Sequence, residues 1–190
     1  MVTPAGYTLL GGGPNPLDAN LLTVGEDSFP RELADNNSVT STTGQLRLTY
    51  FTARKTEVST RCRLFTGGTG AAATPTLCRV GVYEIASDGA GTLVAATAND
   101  TSLFAAAFTA YSPTWATPFT KVAGRRYAVA PLVVTAATAP TFVGNLVANV
   151  ISADAPRIGG VLVSLADLPA SFTGVSVAVS GNRPYVALLP

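Results

Sequence analysis

Apolar and polar residues alternate along the chain from residue 45 onward, which is the period of a β-strand with one buried face. Leu46, Leu48 and Tyr50 alternate with polar residues, and the same pattern holds over 58–64. The run 77–85 is apolar on both faces, which indicates a strand covered on both sides. Further strands are predicted where apolar runs are bounded by Gly, Pro or Asn, at 92–98, 127–134, 141–150, 160–164, 175–179 and 185–189.

The short spacing of these strands, with no long helical pattern between them, determines the expected fold class. It predicts an all-β protein, an antiparallel two-sheet sandwich that is jelly-roll-like, rather than a parallel sheet. Residues 87–91 form a turn sequence that predicts a hairpin between the strands on either side. A second hairpin centred on Gly70 would place Cys62 opposite Cys78. Directly opposed cysteines strain a disulfide, so both are interpreted as small buried core residues.

Residues 1–37 have a different pattern, because Gly, Pro and Asn interrupt every apolar run. Such a segment cannot bury a face by itself. We therefore expect an extended N-terminal arm over 1–37 and a β-sandwich domain over 38–190. Two interpretations of the arm remain open, namely docking on a neighbouring subunit and a flexible linker.

The composition limits the partners that the chain can have. Only 12% of the residues are charged, and 12 basic against 11 acidic side chains give a net charge of +1. A field this weak does not hold a polyanion, so nucleic-acid binding is not expected. The most apolar stretch, 127–144, contains prolines and many β-branched residues, which argues against membrane insertion. No signal peptide is recognised at the N-terminus, so synthesis in the cytoplasm is expected.

The charges are unevenly distributed, because acids concentrate in the N-terminal fifth and arginines follow them. This asymmetry predicts ion pairs between arm and body, or between one subunit and the next. An ordinary solvated sheet face is the alternative. The candidate subunit-contact residues are Asp18, Glu26, Asp27, Glu32, Asp35, Arg47, Arg61, Arg63 and Arg79.

Candidate catalytic residues are few. The chain has no histidine, so neither a Ser-His nor a Cys-His arrangement can form. The glycine-rich stretch 67–70 lacks the Lys and Ser or Thr of a phosphate-binding loop. Glu57 and Glu84 are the acids within strand patterns, and surface ion pairs explain them better than a glycosidase pair does. We therefore expect no enzyme activity, no cofactor and no metal site.

Trp115 is the candidate for binding a sugar ring. It lies between two prolines, and Tyr111 is close to it in sequence, so the two aromatic rings could stack on a glycan. The alternative is a core or interface residue. That alternative is favoured, because aromatic side chains mostly bury area in cores and contacts.

Three stretches between residues 44 and 144 carry a resemblance to a known group of proteins. They are 46–56 (LRLTYFTARKT), 80–83 (VGVY) and 119–132, which contains VAGRRY. In these stretches the chain resembles virion proteins of tailed phages infecting actinobacteria, especially minor tail proteins and capsid decoration proteins. The resemblance covers about half of the chain.

The resemblance implies a non-enzymatic virion structural protein, made in the host cytoplasm and located in the virion. The first expectation is a minor tail or tail-associated appendage that contacts other virion proteins and has host cell-wall glycan as a candidate ligand. The alternative is a capsid decoration protein attached to the major capsid protein through its arm. A homo-oligomer is expected, a trimer being one candidate order. A free carbohydrate-binding module and a glycan-degrading enzyme are less favoured.

Overall fold

The structure is a computed structural model that describes residues 25–70, 75–148, 151 and 154–190. Its regular structure is almost entirely β, with two short 3-10 helices at Arg31–Leu33 and Gly174–Ser176. The strands are β1 (Glu26–Asp27), β2 (Asp35–Thr40), β3 (Gln45–Thr52), β4 (Glu57–Phe65), β5 (Leu77–Ile85), β6 (Gly91–Ala96), β7 (Ala110–Tyr111), β8 (Thr114–Lys121), β9 (Arg126–Val134), β10 (Thr141–Leu146), β11 (Gly159–Leu162), β12 (Ser171–Phe172), β13 (Ala178–Val179), β14 (Asn182–Pro184) and β15 (Val186–Leu189).

These strands form antiparallel sheets in two layers. One layer is a seven-stranded sheet with the order β12-β6-β5-β9-β3-β11-β13. The other layer contains a five-stranded sheet, β1-β15-β4-β7 with β8 also paired to β4, and a three-stranded sheet, β14-β10-β2. The predicted all-β, antiparallel sandwich is confirmed. The second layer is divided because β4 and β10 form no continuous ladder. Past the end of β4 the chain meets β10 through an isolated bridge between Thr66 and Phe142 and through hydrogen bonds to Thr141.

The main core lies between the two layers. Val80, Val82 and Val129 of the seven-stranded sheet pack against Leu64 and Leu188 of the five-stranded sheet, and all five are fully buried. Burying side chains of this size stabilises the fold by about 1.5–3 kcal/mol each. In the second half of β4 the predicted alternation is correct, since Cys62 and Leu64 enter this core between exposed neighbours. In the first half it is wrong, because Ser59 is buried whereas Val58 and Thr60 are exposed, next to a register shift between Ser59 and Arg61.

The opposite face of the seven-stranded sheet is also covered. Leu46 and Leu48 of β3 point to this face, where Leu168, Phe172 and Val177 of the C-terminal region pack over them. The central strands β3, β5 and β9 are consequently buried on both sides. This explains why the sequence of β5 is apolar on both faces, as predicted for 77–85.

One of the two predicted hairpins is correct. β5 and β6 pair around the turn 87–91, where Asp88 Oδ1 accepts a hydrogen bond from the main-chain N of Ala90 at 2.9 Å. The hairpin centred on Gly70 is wrong, because β4 pairs with β15, β7 and β8 whereas β5 pairs with β6 and β9. Cys62 and Cys78 are nevertheless free and fully buried in the main core, as expected.

Part of the expected N-terminal arm belongs to the body of the sandwich. β1 pairs with β15, so that Glu26 lies opposite Leu188 and Asp27 opposite Ala187. Phe29 is also buried. Residues 25–37 are therefore part of the sandwich rather than of an arm that ends at residue 37, and residues 1–24 lie outside the described part of the chain.

Candidate functional site

The outer face of the five-stranded sheet carries two of the predicted arginines. On β4, Cys62 and Leu64 enter the core, so Arg61 and Arg63 point outward and are exposed. Arg63 pairs in register with Ala187 of β15, which in turn pairs with Asp27 of β1. One arginine and one acid of the predicted set therefore lie in the same row of the sheet.

A groove of about 300 Å³ lies over this row. A second depression of about 270 Å³ shares Arg31, Phe65 and Tyr185 with it, so the two are continuous. We call this surface the arginine groove and define it by Arg31, Arg61, Arg63, Phe65, Tyr185 and Leu189. Gly25, the first described residue, lies at its rim.

Aromatic rings form the base of the arginine groove. Tyr185 contacts Phe29 edge to face, with ring centroids 5.6 Å apart, and Phe65 at 6.0 Å. The buried guanidinium of Arg183 lies 4.9 Å from the centroid of Phe29. These contacts fix the rings in place, so the base of the groove is a rigid apolar surface.

The charges of the groove are only partly balanced. Arg31 forms a two-point ion pair with Asp27, at 3.0 and 3.3 Å, and the hydrogen bond to Asp27 raises the pKa of Arg31. Burial, followed by the proximity of Asp27, raises the pKa of Tyr185. Within the described residues, no carboxylate lies within ion-pair distance of Arg61 or Arg63. Arg63 donates a hydrogen bond to Ser112 Oγ at 3.2 Å instead.

The other two predicted arginines lie elsewhere. Arg47 is 9% exposed and donates to Gln45 Oε1 at 2.9 Å and Ser180 Oγ at 3.4 Å, and burial lowers its pKa. Arg79 forms an ion pair with Asp167 at 2.7 Å. The four arginines do not form a single stripe, because β3 and β5 belong to the seven-stranded sheet and β4 to the five-stranded sheet.

The predicted acids have different surroundings. Glu26 is buried and forms an ion pair with Lys121 of β8 at 2.8 Å. Glu32 lies exposed in the first 3-10 helix, and Asp35 lies exposed at the start of β2. Asp18 is outside the described residues. Of the predicted acids, Asp27 is the one that lines the arginine groove.

The burial of Trp115 contradicts the glycan-stacking hypothesis. Its side chain is 4% exposed, and its indole N–H donates a hydrogen bond to Ser59 Oγ at 2.9 Å inside the core. Tyr111 is half-buried, packs edge to face on Phe104, and its hydroxyl oxygen accepts a hydrogen bond from the main-chain N of Ala106. Trp115 therefore offers no open ring face to a sugar, and the two rings do not form one stacking surface.

The acids considered for catalysis are held in ion pairs. Glu84 pairs with Arg125 at 2.6 Å, and Glu57 pairs with Lys55 at 2.8 Å and Lys121 at 3.3 Å. Burial opposes ionisation of Glu57, but its hydrogen bonds to the two lysines outweigh this and lower the pKa of the carboxyl. In the described parts of the chain, no three His, Cys, Asp or Glu side chains are placed to hold a metal ion. The helices among the described residues are all too short or too polar to cross a membrane.

The sequence patterns did not identify several residues in and under the arginine groove. Tyr185, Ala187 and Leu189 occupy alternate positions at the C-terminal end, and this period of two could have placed them on one face. Arg31 and Phe29 carry no such signal, because they follow a two-residue strand. Their position depends on the pairing of β1 with β15, which no local pattern indicates.

Comparisons with known proteins provide no relative from which a function could be transferred. No protein-family model matches the chain, and no curated protein matches its sequence.

Proposed function

We propose that the protein is a non-enzymatic structural component of a phage particle, a minor tail or tail-associated subunit that contacts neighbouring virion proteins through the arginine groove. One observation carries the proposal. Arg61 and Arg63 lie exposed over a base of Phe65 and Tyr185, and no carboxylate among the described residues is within ion-pair distance of either. The resemblance of residues 44–144 to phage virion proteins supports the same proposal.

The side chains of the groove are those that protein contacts use most. Arginine and tyrosine are enriched at the centres of interfaces, because each combines a large contact area with directional hydrogen bonds. The two arginines supply donors for carboxylates or main-chain oxygens, and the aromatic base supplies apolar area. A partner segment that carries both acidic and apolar side chains would fit this surface.

The occupant that we propose is the N-terminal segment, residues 1–24, of a second copy of the chain. This segment joins the body at Gly25, on the rim of the arginine groove. Fully extended, it could reach about 80 Å, which is sufficient to cross to a neighbouring subunit. It also contains Asp18 and the apolar pairs Leu9-Leu10 and Leu21-Leu22, which complement the arginines and the rings.

Light scattering after size-exclusion chromatography tests this contact. We expect full-length protein to be oligomeric, and both the deletion of residues 1–24 and the double variant Arg61→Glu/Arg63→Glu to be monomeric. Arg125→Glu is the matched charge reversal, because Arg125 is exposed in the turn before β9 and does not line the groove. A monomeric full-length protein, or oligomers that survive both changes, would contradict the contact. Chemical cross-linking of mixed labelled and unlabelled copies separates a second copy from the chain's own segment as the occupant.

Location in the particle requires a separate experiment. Particles of the phage that encodes the chain are purified, tested for the protein by mass spectrometry, and imaged by cryo-electron microscopy. Density at the tail supports the proposal. Density on the shell favours the alternative, a capsid decoration protein attached through its N-terminal segment. The buried Glu26–Lys121 pair would suit that role, because it fixes the base of the segment to the body. Absence from the particle contradicts both.

A further inference from the structure

A second recess lies at one end of the seven-stranded sheet, on the face covered by the C-terminal region. It has a volume of about 460 Å³, which is within the range of small-molecule sites. We call it the tyrosine cleft and define it by Tyr50, Ile85, Arg126, Pro156, Arg157 and Val175. The turn 87–89 and Gly174 close one side of it.

Strand register brings the first two polar groups of the cleft together. Tyr50 of β3 pairs with Ala128, and Thr52 pairs with Arg126 of β9, so Tyr50 and Arg126 are diagonal neighbours on the same face. The guanidinium of Arg126 lies 5.0 Å from the centroid of the Tyr50 ring. Gly160 allows Val177 to pack closely beside the cleft, because a Cβ at residue 160 would lie 2.4 Å from Val177.

Arg157 enters the cleft from the loop that precedes β11. Its guanidinium donates hydrogen bonds to the main-chain oxygens of Val177 at 2.8 Å and Gly174 at 3.4 Å. Arg126 in turn donates to the main-chain oxygen of Arg157. Each guanidinium is thus held through one of its nitrogens, and its other N–H groups remain available to a ligand.

The cleft contains two positive charges without a counter-ion. Within the described residues, no carboxylate lies within ion-pair distance of Arg126 or Arg157, although Asp88 lies at the rim. Burial raises the pKa of Tyr50, and the charges of Arg126 and Arg157 oppose that rise. Burial also lowers the pKa of Arg126, so this charge is partly removed from water.

We propose that the tyrosine cleft binds one unit of an anionic saccharide, with its carboxylate or phosphate group held between Arg126 and Arg157. Forked guanidinium groups match the geometry of both oxoacids. The apolar sides provided by Ile85, Pro156 and Val175 suit the C–H faces of a sugar ring. Ser87 and the main-chain groups of the adjacent turn can bond ring hydroxyls. This inference does not depend on the arginine groove or on the proposed location in a virion.

Titration of the full-length, ¹⁵N-labelled protein, followed by two-dimensional NMR, tests the proposal with glucuronic acid, glucose 1-phosphate, glucose and inorganic phosphate. We expect at least one anionic sugar to shift the amide signals of Tyr50, Arg126 and Arg157, and to bind about tenfold more tightly than glucose. A preference between the two anionic sugars distinguishes a carboxylate from a phosphate source. No response to either anionic sugar, or equal affinity for glucose, would overturn the proposal. If inorganic phosphate binds as tightly as the anionic sugars, the cleft does not recognise the sugar ring, and the proposal of a saccharide ligand is overturned.

Two variants make the result specific to the cleft. Arg126→Gln should weaken binding about tenfold or more, and Arg125→Gln is the control, since this neighbouring arginine is exposed and pairs with Glu84. Val175→Glu is a second variant that should not disturb folding, because Val175 is 95% exposed and lines the cleft. It should weaken binding more than Val175→Gln does, because both variants remove the apolar side chain but the glutamate alone adds charge repulsion. Equal effects of the two Val175 variants would contradict an anion-binding cleft.

Discussion

Glu26 and Lys121 form an ion pair inside the sandwich, with Oε2 and Nζ 2.8 Å apart and side chains that are 4% and 1% exposed. The other carboxylate oxygen of Glu26 accepts a hydrogen bond from the main-chain N of Arg54 at 2.6 Å. Lys121 also donates to the main-chain oxygen of Lys55 at 3.1 Å. This pair ties β1 to β8 and to the connection between β3 and β4.

Breaking this pair should strongly destabilise the fold. Lys121→Met leaves the Glu26 carboxylate buried without its partner, which costs about 3–5 kcal/mol in comparable cases. The double variant Glu26→Gln/Lys121→Met should lose less than the sum of the two single variants, since it leaves no buried charge. Urea unfolding measures the free energy of unfolding of Glu26→Gln, of Lys121→Met and of the double variant.

Arg125→Met is the control for this series. It breaks the exposed pair with Glu84 and should cost less than about 1 kcal/mol. A loss for Lys121→Met as small as that of the control would show that the buried pair does not stabilise the fold.

The pH dependence of stability should reflect Glu57. Its hydrogen bonds to Lys55 and Lys121 lower its pKa below the ordinary value of 4.5. A lowered pKa in the folded state means that the stabilisation is present above pH 4.5 and is lost as the pH falls through the folded-state value. Glu57→Gln should therefore destabilise the protein at neutral pH but have little effect in stronger acid. Urea unfolding at both pH values checks this, and a pH-independent difference would contradict it.

The two cysteines should be unreactive in the native protein. Burial raises the pKa of both thiols, that of Cys78 to about 11, and the thiolate is the reactive form. We expect a thiol reagent such as DTNB to label neither cysteine at neutral pH and to label both after unfolding in urea. Rapid labelling of the native protein would contradict their burial, and failure to label the unfolded chain under non-reducing conditions would indicate a disulfide.

Trp115 provides a spectroscopic check on its own position. It is the only tryptophan in the sequence, and its burial predicts blue-shifted fluorescence that acrylamide quenches little until the protein unfolds. Trp115→Phe should destabilise the protein by about 1–3 kcal/mol, since it removes buried area and the hydrogen bond to Ser59. Strong quenching of the native protein, or quenching by a saccharide, would revive the stacking hypothesis. Tyr111→Phe is the control for the loss of a hydrogen bond alone, because it keeps the ring and removes only the hydroxyl that bonds Ala106.

Local patterns predicted most of the strands but not all of their partners. The alternation reports which side chains are buried in the second half of β4 but not in β3, because Arg47 and Thr49 are buried as well. The turn 87–91 identifies the β5–β6 hairpin. The same patterns cannot tell which sheet a strand joins. β4 and β5 are consecutive among the described strands, yet they belong to different sheets and do not form a hairpin.

The candidate sites depend on such long-range pairings. Arg61 and Arg63 lie on one face, as their spacing of two indicates, whereas Arg47 and Arg79 would join them only if β3 and β5 were neighbours of β4, which they are not. The tyrosine cleft combines Tyr50, Arg126 and Arg157, which come from three distant segments and share no motif. Composition and periodicity contain no information about such an arrangement.

The pairing of β1 with β15 has a consequence for biosynthesis. β1 is the first of the described strands to leave the ribosome, but its hydrogen-bonding partner is completed only when translation reaches Leu189. β15 also separates β1 from β4, so this half of the five-stranded sheet stays open until the same moment. The sandwich therefore closes after translation has passed its last strand. Throughout elongation, the main-chain groups of β1 that later pair with β15 lack that partner.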